Sequence, residues 1–194
     1  DGKFVSVHNS TIDVYAPGTT GKVKEMTFDE LRALDIGGRV GDQWKGTKIP
    51  AFEEILDLCK GKIGIYLDLK DAPVPELVKI IQSKGMEKEV IWYVGGRNLT
   101  DLKTSCPECF EMPDPGPEKN LAKLLADHKP RVVASVWEHF SKSFVEACHK
   151  AGAIVICDED GTECGKDMLA WGTDGIQTDH PADFTSRRTR RWSV

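Results

Sequence analysis

The chain has 194 residues, 40% apolar and 29% charged, with 26 basic against 31 acidic side chains and a formal net charge of −5. This length fits one domain of roughly 100–200 residues, and the composition excludes a disordered chain. No apolar run approaches the ~18–20 residues of a membrane span, and without a net positive field a nucleic-acid partner is disfavoured.

The chain opens on Asp1, with no initiator Met and no signal-like apolar segment, which reads as a processed form or a fragment. Phe4–His8 is the first β-type run. Thr27 with Glu30 makes a capping box, and Leu31 with Leu34 gives that helix its apolar side. Ile63–Leu69 is a second strand. Leu77, Ile80 and Ile81 then lie on one helical face, with Gly85 as C-cap. Strands follow at Val90–Val94 and Cys109–Met112, and Pro113-Asp-Pro-Gly-Pro117 reads as a rigid loop. Leu121, Leu124 and Leu125 repeat the helical spacing before Pro130. Val132–Val136 is a strand, and Phe144, Val145 and Cys148 mark a helix ending near Gly152. Ala153–Cys157 and Gly175–Thr178 are the last strands.

Strand and helix alternating at this spacing predict parallel βαβ units. The runs Ile63-Gly-Ile-Tyr-Leu67 and Ala153-Ile-Val-Ile-Cys157 are nearly continuous in apolar residues, as strands buried on both faces are. No phosphate-cradling glycine motif follows any strand, which favours a barrel over a doubly wound nucleotide-binding sheet. The whole chain, 1–194, reads as one domain.

Of six cysteines, only Cys106-Pro-Glu-Cys109 has motif-like spacing. A zinc site needs about four ligands and no second close pair exists, so ordinary thiols are favoured over a metal or redox module. Asn9-Ser-Thr11 and Asn98-Leu-Thr100 match the glycosylation pattern, a match frequent by chance. Arg187, Arg188, Arg190 and Arg191 read as a solvated basic tail.

In parallel βα folds, reactive groups collect at the carboxyl ends of the strands. Those ends carry His8-Asn9, Asp68-Leu-Lys70, Asp158-Glu-Asp160 and Thr178-Asp-His180. Strand alternation would put Asp68 and Lys70 on one face. A carboxylate can hold a hard cation, a Lys can neutralise phosphate, and a His can move a proton near neutral pH. Together they suit a phosphate ester. The plainer alternative is a hydrogen-bonded structural His8 and a rim ion pair of Asp68 with Lys70.

Five ordered blocks carry a family resemblance. They are Asp1-Gly-Lys-Phe-Val-Ser-Val-His8-Asn9, Gly18-Thr-Thr-Gly-Lys-Val23 with Met26–Leu31 and Leu34–Gly37, Ile49–Leu56, Gly61–Lys70, and Gly172-Thr-Asp-Gly-Ile-Gln-Thr-Asp-His-Pro181. In this order they resemble the glycerophosphodiester phosphodiesterase family over almost the whole chain. The resemblance implies a TIM (β/α)₈ barrel, here N-terminally incomplete, because the family's H-R-G and E-x-D strands have no counterpart in these residues.

It implies Ca²⁺- or Mg²⁺-dependent hydrolysis of a small-molecule glycerophosphodiester to glycerol 3-phosphate and an alcohol. His8 falls on a catalytic histidine, Asp68 on a metal ligand that is usually Glu, and Lys70 on a phosphate-contacting lysine. Departures are Asn9 for an Asp, Val14 for an Arg, and Ile156-Cys-Asp-Glu159 for a tryptophan-bearing strand end. With one acidic metal ligand of three, the expectation is weak cation binding and slow turnover. The alternative is a non-catalytic barrel relative that keeps the fold and anion binding. A soluble protein is expected, cytoplasmic or exported.

Overall fold

The computed structural model describes residues 1–184. The arginine-rich stretch Arg187–Arg191 lies outside the described residues. The chain divides into two compact units, Asp1–Gly64 with Lys70–Met86, and Ile65–Leu69 with the chain from Glu87 onward.

The first unit holds helices α1 (Phe28–Ala33), α2 (Phe52–Cys59) and α3 (Val74–Lys84). Buried Ile12, Leu31 and Ile49 form its centre, packed by Val5, Val7, Val23, Met26, Leu34 and Ile36. The capping box is present. Thr27 N–H donates to Glu30 Oε2 at 2.8 Å and Glu30 N–H to Thr27 Oγ1 at 3.3 Å, satisfying amides that the first helical turn leaves unpaired. Gly85 closes α3 in the left-handed region, at φ +63°, as its position predicts.

The expected strand Phe4–His8 is not formed. That segment contributes one antiparallel bridge, Val5 to Ala51, and is pinned by Ser6 N–H to the Pro50 carbonyl at 3.2 Å and Phe52 N–H to the Phe4 carbonyl at 2.9 Å. Its apolar residues Val5 and Val7 pack into the small core above. Burial without an extended ladder accounts for the alternating pattern.

The second unit carries β1 (Ile65–Asp68), β2 (Val90–Tyr93), α4 (Gly96–Ser105), β3 (Phe110–Met112), α5 (Leu121–His128), β4 (Val132–Val136), α6 (Lys142–Lys150), β5 (Ile154–Asp158), α7 (Gly165–Trp171) and β6 (Gly175–Gln177). All pairings are parallel, in two three-stranded sheets ordered β1-β2-β3 and β4-β5-β6. The Ala134 amide donates to the Pro113 carbonyl at 3.0 Å and so links β3 to β4. The parallel α/β alternation expected from the sequence is thus present as six strands among the described residues.

Register fixes which side chains share a face. Tyr66 pairs with Ile91 and Asp68 with Tyr93, Ile91 pairs with Phe110 and Tyr93 with Met112. Ile91, Tyr93, Phe110, Met112, Val132, Ala134, Ile154 and Ile156 form one apolar cluster. The opposite faces supply Val133, Val155 and Cys157, which pack with Phe144, Val145 and Cys148 of α6 and Met168 of α7. Strands β4 and β5 are therefore covered on both sides, as parallel strands in such folds are.

Cys106 and Cys109 are joined by a disulfide, both almost fully buried. The even cysteine count leaves the disulfide state open, and for this pair the favoured ordinary thiols are replaced by a bridge. The turn between α4 and β3 brings the two Cα atoms to 5.3 Å, a bridgeable span that spacing alone did not establish. Cys59, Cys148, Cys157 and Cys164 are free.

Candidate active-site mouth

The carboxyl ends of the six strands bring together a set of polar side chains in the second unit. Asp68 ends β1, Tyr93 ends β2, Asp114 follows β3, Asp158 ends β5 and Asp179 follows β6. The Tyr66 and Tyr93 rings lie 5.9 Å apart between centroids with planes 29° apart. Tyr93 Oη donates to Asp114 Oδ2 at 3.2 Å, and Gly116 N–H donates to Asp114 Oδ1 at 2.6 Å. The proline-rich loop is therefore ordered around the aspartate that it presents.

The charged groups that act on Tyr66, Tyr93 and Asp158 in this mouth are carboxylates. Burial, then the nearby Tyr93, Asp68, Asp158 and Asp114, push the Tyr66 phenol up. Tyr93 is pushed up to about 12 by burial, then by Asp114, Asp68 and Asp158. Burial raises the Asp158 carboxyl, and Asp179 and Glu159 raise it further, since like charges disfavour ionisation.

Between β5 and β6 the mouth opens into a pocket of about 260 Å³ lined by Asp158, Glu159, Gln177, Thr178, Asp179 and His180. Thr178 Oγ1 donates to Glu159 Oε1 and accepts from the His180 amide at 2.8 Å. The buried Glu159 Oε2 has no hydrogen-bond partner among the described residues.

Asp68 sits at its expected strand end, half-buried within the second unit. Lys70 lies beyond the strand, exposed, and belongs to the first unit. The expected Asp68–Lys70 strand face is not formed, because the ladder stops at Asp68. His8, also in the first unit, is exposed, with Nδ1 3.3 Å from Asn9 Oδ1. Asn9 N–H donates to Tyr15 Oη at 2.5 Å, and Tyr15 Oη donates to Asn9 Oδ1 at 3.3 Å.

Sequence reasoning passed over Tyr66, Tyr93 and Asp114. Parity could have found the tyrosines, since Tyr66 lies two residues before Asp68 on one strand face. Among the described residues no group of three or more His, Cys, Asp or Glu side chains is arranged to hold a metal ion. The described residues thus supply Asp68 as a single expected ligand and no assembled cluster, and no chemical step below runs through a cation. No helix among the described residues is long and apolar enough to cross a membrane.

No family model matches the chain. It is 27% identical over 201 residues to a glycerophosphodiester phosphodiesterase of Caldanaerobacter subterraneus subsp. tengcongensis, covering 93% of this chain and 78% of the relative. Its structure resembles the crystal structure of a glycerophosphodiester phosphodiesterase from Agrobacterium tumefaciens, with TM-score 0.82 and 24% identity over 96% of this chain and 82% of that one. An Oleispira antarctica phosphodiesterase, solved in complex with the product sn-glycerol-3-phosphate, aligns with TM-score 0.81 and 18% identity over 94% of this chain and 78% of that one. The chain carries the α/β fold of the glycerophosphodiester phosphodiesterases.

Proposed function

We propose that this protein is a phosphoric diester hydrolase that converts a small-molecule glycerophosphodiester and water to glycerol 3-phosphate and an alcohol, the two parallel sheets being consecutive parts of one (β/α)₈-type barrel wall. The carrying observation is the polar mouth at the strand ends, in a fold shared with named glycerophosphodiester phosphodiesterases. A relative in that fold holds the product glycerol phosphate.

The residue roles come from the sequence resemblance. His8 would take the proton of the attacking water or return one to the leaving alkoxide. Lys70 would neutralise a phosphate oxygen as a point charge. Asp68 is the carboxylate assigned to a Ca²⁺ or Mg²⁺ ion, whose chemistry would be charge neutralisation at the phosphodiester. The resemblance assigns only this one acidic ligand, so turnover is expected to be slow.

Hydrolysis of bis(4-nitrophenyl) phosphate and of sn-glycero-3-phosphodiesters, with Ca²⁺, Mg²⁺ or EDTA, tests the reading. Slow turnover lost in His8→Ala supports it. Absence of turnover under every condition overturns it in favour of a non-catalytic relative, and a robust rate that survives His8→Ala overturns the role of His8.

A further inference from the structure

We propose that Glu118 is a positioning residue for the strand-end mouth. Its carboxylate, latched to Ser141 and Ser143 at the start of α6, holds the Pro113–Pro117 loop so that Asp114 stays on Tyr93. For its effect on turnover this rests on the hydrolase reading above.

The loop is held along its length. At its start the Ala134 amide of β4 donates to the Pro113 carbonyl at 3.0 Å. In its middle Asn120 Nδ2 donates to the Pro115 carbonyl at 2.9 Å and the Gly116 amide to Asp114 Oδ1 at 2.6 Å, contacts that tie the segment to itself. At its far end the short 3-10 turn Glu118–Asn120 begins. There Ser141 Oγ donates to Glu118 Oε2 at 2.8 Å and Ser143 Oγ to Glu118 Oε1 at 2.7 Å, so the segment after β3 is fastened to the helix after β4.

Both serine protons are committed to this carboxylate. Ser141 Oγ already accepts the Phe144 amide at 3.1 Å as N-cap of α6, and it stands 2.9 Å from Ser143 Oγ. Each hydroxyl has a single proton to give, and an anionic group is favoured at a helix N-terminus. Glu118 and Ser141 are half-buried, while Ser143 is exposed. Prolines at 113, 115 and 117 lock φ at three of the five loop positions, so a hold at Glu118 is transmitted to Asp114 and not absorbed on the way. Tyr93 Oη donates to Asp114 Oδ2 at 3.2 Å, a long O–H···O contact that a small loop shift would break.

Residue-resolved amide hydrogen exchange of the whole chain reads local opening, and the ring signal of labelled Tyr93 reads its contact with Asp114, both without turnover. Glu118→Ala should speed exchange at Gly116 ~3–10-fold, the factor for one ordinary hydrogen bond, and should move the Tyr93 signal. Glu118→Gln should restore both, since its amide oxygen accepts from one serine and its NH₂ donates to the other. Exchange at Phe144, capped by Ser141 itself, should stay as in wild type. Ser143→Ala removes only an exposed hydroxyl, should show the same trend at smaller size, and carries the test if Glu118→Ala fails to fold.

Gly116 exchange unmoved in both alanine variants overturns the proposal. So does a rise shared equally by Gly116 and Phe144 that Glu118→Gln does not reverse, which would make Glu118 a tie for α6 alone. Hydrolysis separates the two readings. Glu118→Ala should lower kcat/KM for the glycerophosphodiester and Glu118→Gln restore it; a kcat/KM equal to wild type in Glu118→Ala would defeat this inference alone. The expected exchange pattern with no hydrolysis of any diester by wild type would defeat the hydrolase reading alone.

Discussion

The Arg32 guanidinium holds the Glu54 carboxylate through two hydrogen bonds, 2.5 Å from Nη1 and 2.9 Å from Nη2, and so ties α1 to α2. The same carboxylate accepts the Ala51 amide at 2.9 Å, closing the first turn of α2. A fork-to-fork pair that also caps a helix does two jobs with one side chain.

Glu54→Ala should therefore lower the melting temperature by a few degrees at pH 7. The Arg32 hydrogen bonds, then the Ala51 amide, hold the Glu54 carboxyl below its ordinary value. A depressed carboxyl contributes stability that is present above the unfolded pKa and is lost as pH falls through the folded one. The gap between wild type and variant should shrink steadily on acidification below about pH 4. A gap that is constant from pH 7 to pH 3 in thermal melts would show that the carboxylate's charge plays no part.

The Cys106–Cys109 bridge closes a loop with sequence separation 3. Chain-entropy reasoning for so short a loop gives about 2 kcal/mol. At roughly 2–4 °C per kcal/mol for a chain of this size, the double variant Cys106→Ala/Cys109→Ala should melt ~4–8 °C lower. A reductant should lower wild type similarly and leave the variant unmoved. A reductant effect of the same size in both would locate the loss elsewhere.

Much of this fold was legible because its cause is local. Thr27 and Glu30 make their box within three residues, and Leu77, Ile80 and Ile81 show their face within one turn, so both survive in the structure. Phe4–His8 failed for the opposite reason. Its alternation records burial against Ile12 and, much farther along the chain, Leu31 and Ile49, and alternation cannot distinguish a ladder from a pinned loop.

The site divides in the same way. Asp158 and Asp179 were visible as strand ends, whereas Asp114 acquires its place from Tyr93 across the sheet, a relation set by register. The disulfide likewise depends on the turn that joins α4 to β3.

Gly37 is required by close approach. A Cβ built there would stand 1.8 Å from the Trp44 carbonyl oxygen, in a loop closed by Ile36 N–H to the Thr47 carbonyl at 3.0 Å. Gly37→Ala must displace backbone, a cost of about 1–3 kcal/mol typical of overpacking. At Gly38 the nearest atom is Asp35 Oδ2 at 3.3 Å, the end of a side chain, so Gly38→Ala should cost far less. Urea denaturation of the two variants checks the contrast, and equal midpoints would refute it.

Asp158 gives the sharpest pH test in the second unit. Burial raises its carboxyl, followed by repulsion from Asp179 and Glu159, so the folded chain binds that proton more tightly than the unfolded chain does. The sign is opposite to that of Glu54. Ionisation above the raised pKa destabilises the fold, and protonation on acidification relieves it. Asp158→Asn removes the charge at almost constant shape, so it should melt above wild type at pH 7. That advantage should disappear near pH 3, where wild-type Asp158 is itself neutral in both folded and unfolded chains. Thermal melts of both proteins at the two pH values decide the matter. A variant that melts below wild type at pH 7 would mean that the charged carboxylate is compensated in the folded chain and is not a source of strain.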